Sequence, residues 1–87
     1  MILNVYSVFD SKTMVFNTPF FSHNDGSAAR SFKDLSLDVN SSVSRNKSDY
    51  KLYRIGSYDD FSGVLTPISP VEFIATASDY DLLASKE

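Results

Sequence analysis

With 87 residues, the chain has room for one domain built on a small core. It has no cysteine and one histidine, His23, which excludes disulfide staples, thiolate metal sites, cysteine nucleophiles and a four-ligand structural zinc site. The net charge of −3 argues against a strongly basic nucleic-acid binder, yet residues 1–57 hold seven Lys/Arg against five Asp, while residues 58–87 hold one Lys against six acids.

No run approaches the ~20 consecutive apolar residues that span a bilayer. The opening MILNVYSVFD lacks a basic n-region and is broken by Asn4 and Ser7, so it does not read as a signal peptide. Seven Phe and five Tyr in an unstapled chain of this size lead us to expect a homo-oligomer, because a small core seldom suffices alone.

In chain order, residues 2–9 (ILNVYSVF) read as a strand with apolar residues on both faces, hence an interior strand or one that gives a face to a partner. Asp10-Ser11-Lys12 is a turn and Met14-Val15-Phe16 a short returning strand, expected to end at Pro19. Ser22 or Asn24 can cap a helix over about residues 25–37, with Ala28, Ala29, Phe32 and Leu35 on its apolar stripe. Residues 38–49, rich in Ser and Asn, read as a mobile loop carrying Arg45 and Lys47.

Tyr50–Ile55 is the clearest strand of the second half, and Gly56 marks a bulge or a close approach. Asp59–Gly63 is a turn, Val64–Thr66 returns as a hairpin partner, and Pro67 and Pro70 impose an edge path before a short strand within 71–76. The expected fold is α+β: a small, mostly antiparallel sheet of about four strands with one helix packed on it, in the order β-β-α-β-β. A single domain over residues 1–77 is expected, followed by a frayed acidic tail over 78–87.

Catalytic chemistry finds little support. His23 sits beside the helix cap with no nucleophile elbow, the three glycines are scattered rather than forming a phosphate loop, and Asp59-Asp60 reads as a turn former before a metal ligand. We therefore expect no enzyme, no metal and no cofactor. A hydrolase would require Asp10, Asp59 and Asp60 to converge. Binding chemistry is better represented, since the strand from Tyr50 places Lys51 and Tyr53 on one face and Leu52 and Arg54 on the other. An aromatic beside a cation on a sheet face lets a base stack while its phosphate is neutralised, although Tyr53 packed in a core would look the same in sequence.

The string YKLYRIGSYDDFSGVLTP, with Tyr50, Leu52, Tyr53, Ile55, Gly56, Tyr58, Asp59, Gly63 and Pro67, resembles the small non-structural protein of microviruses, the single-stranded-DNA phages of the Chlamydia-phage or gokushovirus type. Tyr6, Phe9, Asp10 and Lys12 agree with the family's opening motif, as do Pro19-Phe20 and the helix residues Ala28, Ala29, Arg30, Phe32 and Asp34, so the resemblance spans roughly residues 5–70. It implies a protein made in the cytoplasm of an infected bacterium, not a major virion component, that binds DNA in the switch from duplex replication to single-strand synthesis and packaging. It transfers no catalytic residues.

Two hypotheses follow. The first is a single-stranded-DNA-binding factor using Arg30, Lys33, Arg45, Lys47, Lys51 and Arg54 for phosphates and Tyr53 or Tyr58 for stacking. The second is a dimeric interaction module for a phage capsid or replication protein or a host protein. Clustering of Arg30, Lys33, Lys51 and Arg54 with exposed tyrosines favours the first; scattered cations and an apolar sheet face available to a second copy favour the second.

Overall fold

The computed structural model describes residues 1–80. Its architecture is α+β, as the sequence leads one to expect. Strands β1 (Ile2–Asp10), β2 (Val15–Phe16) and β3 (Phe20–Ser22) precede helix α1 (Asp25–Leu37), a short helix α2 (Ser42–Arg45) and a 3-10 turn at Lys47–Asp49. The long hairpin of β4 (Tyr50–Asp59) and β5 (Val64–Thr76) follows, and a second 3-10 turn covers Ala77–Tyr80. The sheet is antiparallel in the order β2-β1-β4-β5, with β3 also paired to β1.

Strand β1 is interior, flanked by β4 on one side and by β2 and β3 on the other. Pro19 interrupts the edge rather than ending it, because Asn17 N still donates to Val8 O before Phe20–Ser22 pairs with Asn4–Tyr6. The β1–β2 turn is closed by Met14 N donating to Asp10 O, with Met14 itself at φ 62.

Helix α1 starts where the sequence places it, since the Asn24 Oδ1 accepts from Ser27 N at 2.8 Å and satisfies one free first-turn amide. Its Ala28 and Phe32 pack on the face of the sheet formed by Tyr6, Val8, Leu52 and Ala75. Leu35, expected on the same stripe, stays partly exposed, and Ser36 takes the buried position with its hydroxyl donating to Phe32 O. The stripe thus runs through 28, 32 and 36.

The segment 38–49 departs from the expected mobile loop. Ser41 Oγ accepts from Val43 N and Ser44 N and donates to Leu35 O, fixing one helical turn that drives Val43 into the core. A capping serine and one valine are enough to order a polar segment. At the other end, the first residues assigned to the acidic tail, 78–80, belong to the 3-10 turn, where Tyr80 lies edge-on to Phe32 at 6.2 Å. The rest of that expected tail, 81–87, lies outside the described residues.

Tyr6 is the largest fully buried side chain. It stacks on Phe20 at 5.7 Å, its hydroxyl donates to Asp25 Oδ1 at 2.6 Å, and Asn4 Nδ2 donates to it at 3.1 Å. Burial, reinforced by the Asp25 carboxylate, pushes the phenol up to about 12. A phenol that holds its proton more tightly when folded adds stability fully present below the unfolded value of about 10, and this stability is lost as pH rises towards 12. Urea midpoints measured from pH 8 to 12 should therefore fall steeply above pH 10, and Tyr6→Phe should flatten that fall. The residual slope includes Tyr80, which burial also shifts upward.

Candidate nucleic-acid interface

The sheet face opposite the helices is set by β1 residues of odd number. Phe9 lies across from Phe16 on β2 and from Lys51 on β4, while Ser7 lies across from Tyr53, which in turn faces Phe73 on β5. The four rings form a continuous row across four strands: Phe16–Phe9 at 4.7 Å, Phe16–Tyr53 at 5.9 Å, Phe9–Tyr53 at 6.2 Å and Tyr53–Phe73 at 5.9 Å. The contacts are tilted or edge-to-face, the favoured geometry for aromatic pairs. Phe16 and Phe73 at the ends of the row are 44% and 53% exposed, so the row is a surface and not a second core.

Tyr53 is the centre of this row and Lys51 stands two residues away on the same strand face, as the strand alternation predicts. Sequence reasoning missed Phe9, Phe16 and Phe73. Each lies on a different strand, and only the register brings them together.

The other expected site residues go elsewhere. Arg30 and Lys33 lie on α1, Arg45 on α2 and Lys47 in the following 3-10 turn, all in the helical layer on the far side of the sheet. Arg54 points to the helix side too, where its Nε donates to Glu72 Oε1 at 2.8 Å, a bond that raises the guanidinium's affinity for its proton. Tyr58 shares the open face but sits further along it, edge-on to Phe21 at 5.4 Å. The eight residues therefore do not form one patch, and only Lys51 and Tyr53 come together.

Towards the hairpin tip, the same face holds an apolar groove of about 280 Å³ lined by Val5, Pro19, Phe21, Ile55, Gly56, Leu65, Thr66 and Pro67. Its floor depends on Gly56: a Cβ there would stand 2.5 Å from the Thr66 carbonyl oxygen. The close approach foreseen at this glycine is real, and so is a bulge beside it, at Ile55.

Asp10 pairs with Tyr50 at one end of β1, while Asp59 pairs with Ile2 at the other. The three carboxylates that a hydrolase would need therefore do not converge. Among the described residues, no group of three or more His, Asp or Glu is placed to hold a metal ion, and no helix is long and apolar enough to cross a membrane.

A family model described as Phage ORF5 protein matches residues 3–80, and the chain belongs to that family. It is a phage protein. No curated protein and no solved structure matches it.

The close approach of β5 to Gly56 has a direct consequence for stability. Gly56→Ala should lower stability by about 1–3 kcal/mol, the usual cost of forcing a methyl group into filled space. Urea denaturation should show a lower midpoint with an unchanged slope. An unchanged midpoint would mean that β5 does not lie this close.

Proposed function

We propose that this phage protein is an accessory factor that binds single-stranded DNA on its open sheet face, in genome replication or the switch to packaging. The observation that carries the reading is the row Phe16–Phe9–Tyr53–Phe73 with Lys51 beside it. Every nucleobase has a π-face, so exposed rings on a sheet bind single strands with little regard to sequence. No Asp or Glu stands among the register partners that make up this face, so a phosphate there meets no carboxylate in the strands. On this reading the protein acts in the cytoplasm of the infected bacterial host and is not a major virion component.

Because Lys51 is the one cation at a register position on this face among the described residues, stacking supplies most of the affinity and salt sensitivity is shallow. Fluorescence anisotropy with a labelled oligothymidylate should show Tyr53→Ala weakening binding about 5- to 160-fold, matching about 1–3 kcal/mol per stacked base. Lys51→Ala should reduce the slope of log K against log salt by about 0.7, one phosphate's share on a single strand. Replacing Arg30 and Lys33 together with Ala should leave binding within twofold. Absence of any low-salt binding by the parent protein, or equal losses from the helix and sheet substitutions, would sink the reading.

The scatter of the cations favours a second reading: a dimeric module whose open apolar face binds a phage capsid or replication protein, or a host protein. Co-purification with such a partner, unaffected by nuclease, would support it in place of DNA binding.

A further inference from the structure

We infer that the β4–β5 hairpin carries both halves of a contact between two copies of this chain: Phe61 at the tip is the anchor, and the groove over Gly56 on the second copy is its socket. Self-association does not depend on DNA binding, and it gives the second reading above a definite geometry.

Phe61 is 93% exposed, the most exposed of the large apolar side chains among the described residues. It is also held there. The Asp59 carboxylate accepts from Phe61 N at 2.9 Å, Asp59 O accepts from Gly63 N at 2.7 Å, and Gly63 closes the turn at φ +76. The bond from the Phe61 amide is the leading reason that the Asp59 carboxyl is held below the usual carboxylate range. A turn fixed in this way presents the ring outward at little further loss of chain freedom on docking.

The groove suits such a ring. Its volume of about 280 Å³ falls just below the range of ligand sites, roughly 300–1,000 Å³, and its lining offers no charged side chain to orient a polar molecule. An apolar side chain entering it leaves no buried charge unpaired. Leu65 and Phe21 on its walls are 60% and 50% exposed, which leaves the opening accessible from solvent.

The occupant is identified as a second copy because anchor and socket belong to one hairpin. Leu65 lies four residues beyond Phe61, and the pinned turn keeps Phe61 from folding back onto its own groove. Two such hairpins related by a two-fold axis can exchange anchors, each ring entering the other's groove, which is the self-complementarity that an isologous dimer requires.

The test uses nuclease-treated full-length protein in sedimentation equilibrium over a concentration series, with no oligonucleotide present. The parent protein should show a monomer–dimer equilibrium. Phe61→Ser, which keeps the groove, and Leu65→Glu, which keeps the anchor, should each weaken dimerisation at least tenfold with unchanged circular dichroism, since both positions are exposed. Mixed in equal amounts, the two variants should recover part of the dimer, because one of the two anchor–socket contacts is then complete. A parent protein that stays monomeric at every concentration, a dimer that both variants leave intact, or a mixture no more associated than either variant alone would each overturn the inference. None of these outcomes bears on whether Tyr53 stacks a base, so the two proposals fail separately.

Discussion

Two single-residue irregularities in strand pairing, beside a longer register shift on β5 between Pro67 and Glu72, decide what each face of this sheet can do. On β4, Val5 faces Gly56 while Tyr6 faces Arg54, so Ile55 is one residue more than β1 can match. On β5, Leu52 faces Ala75 while Tyr53 faces Phe73, leaving Ile74 as the extra residue. Side chains alternate with a period of two, so each bulge exchanges the faces of everything beyond it. Tyr53 and Tyr58, five residues apart, would fall on opposite faces of a regular strand; the Ile55 bulge puts both on the open side. Phe73 and Ala75 would share a face without the Ile74 bulge; with it, Ala75 fills the core and Phe73 completes the row. Removing either bulge would send aromatic rings into the helix layer or core residues into water.

The division has an energetic consequence. The core under α1 is made mostly of small and medium side chains, with Tyr6, Phe32 and Leu52 as its largest fully buried apolar members. Six of the twelve aromatic residues (Phe9, Phe16, Phe21, Tyr53, Tyr58 and Phe73) instead stand on the open face. A domain this short has little core to spare, and placing half its aromatics outside the core forgoes burial it could have used. Contiguous apolar surface left open in this way is what a bound partner or ligand would cover. The same argument explains why the polar segment 41–49 is ordered: with no disulfide available, Val43, Ala77 and Tyr80 close the helix side by packing.

Much of this was legible in the residues. The helix bounds, the Asn24 cap, the hairpin around Asp59–Gly63 and the shared face of Lys51 and Tyr53 all follow from local rules of capping, turn chemistry and alternation. Three features did not follow. Ser41 caps α2 through Val43 N and Ser44 N, but its hydroxyl also donates to Leu35 O, a contact created by the end of α1 that the segment itself does not announce. The return of pairing after Pro19 depends on β1 having a free edge there. The aromatic row depends on the Ile74 bulge and on a strand order that places β1 beside β4, and no local pattern encodes either. Cations were over-read for the same reason: Arg54 alternates correctly to the helix side, but its partner Glu72 is eighteen residues away and meets it only through the hairpin register.

The Arg54–Glu72 pair has a further effect on the surface field. Of the six acids in residues 58–87, Glu72 is tied on the helix side, and Asp59 and Asp60 lie at the turn, beyond the groove. Among the described residues, the register partners that make up the face of the aromatic row include Lys51 and no Asp or Glu. Exposed charges more than about 10 Å apart are largely screened at ordinary salt. Local composition of the face then outweighs the net charge of −3 in deciding what can approach it. Along the same face, charge and shape change together: rings and a lysine near Tyr53 give way to an uncharged groove over Gly56 and then to the acidic turn that holds Phe61. A single bulged sheet thus presents a flat aromatic surface and a recessed apolar one side by side, and the Ile55 bulge between Tyr53 and Gly56 turns both outward.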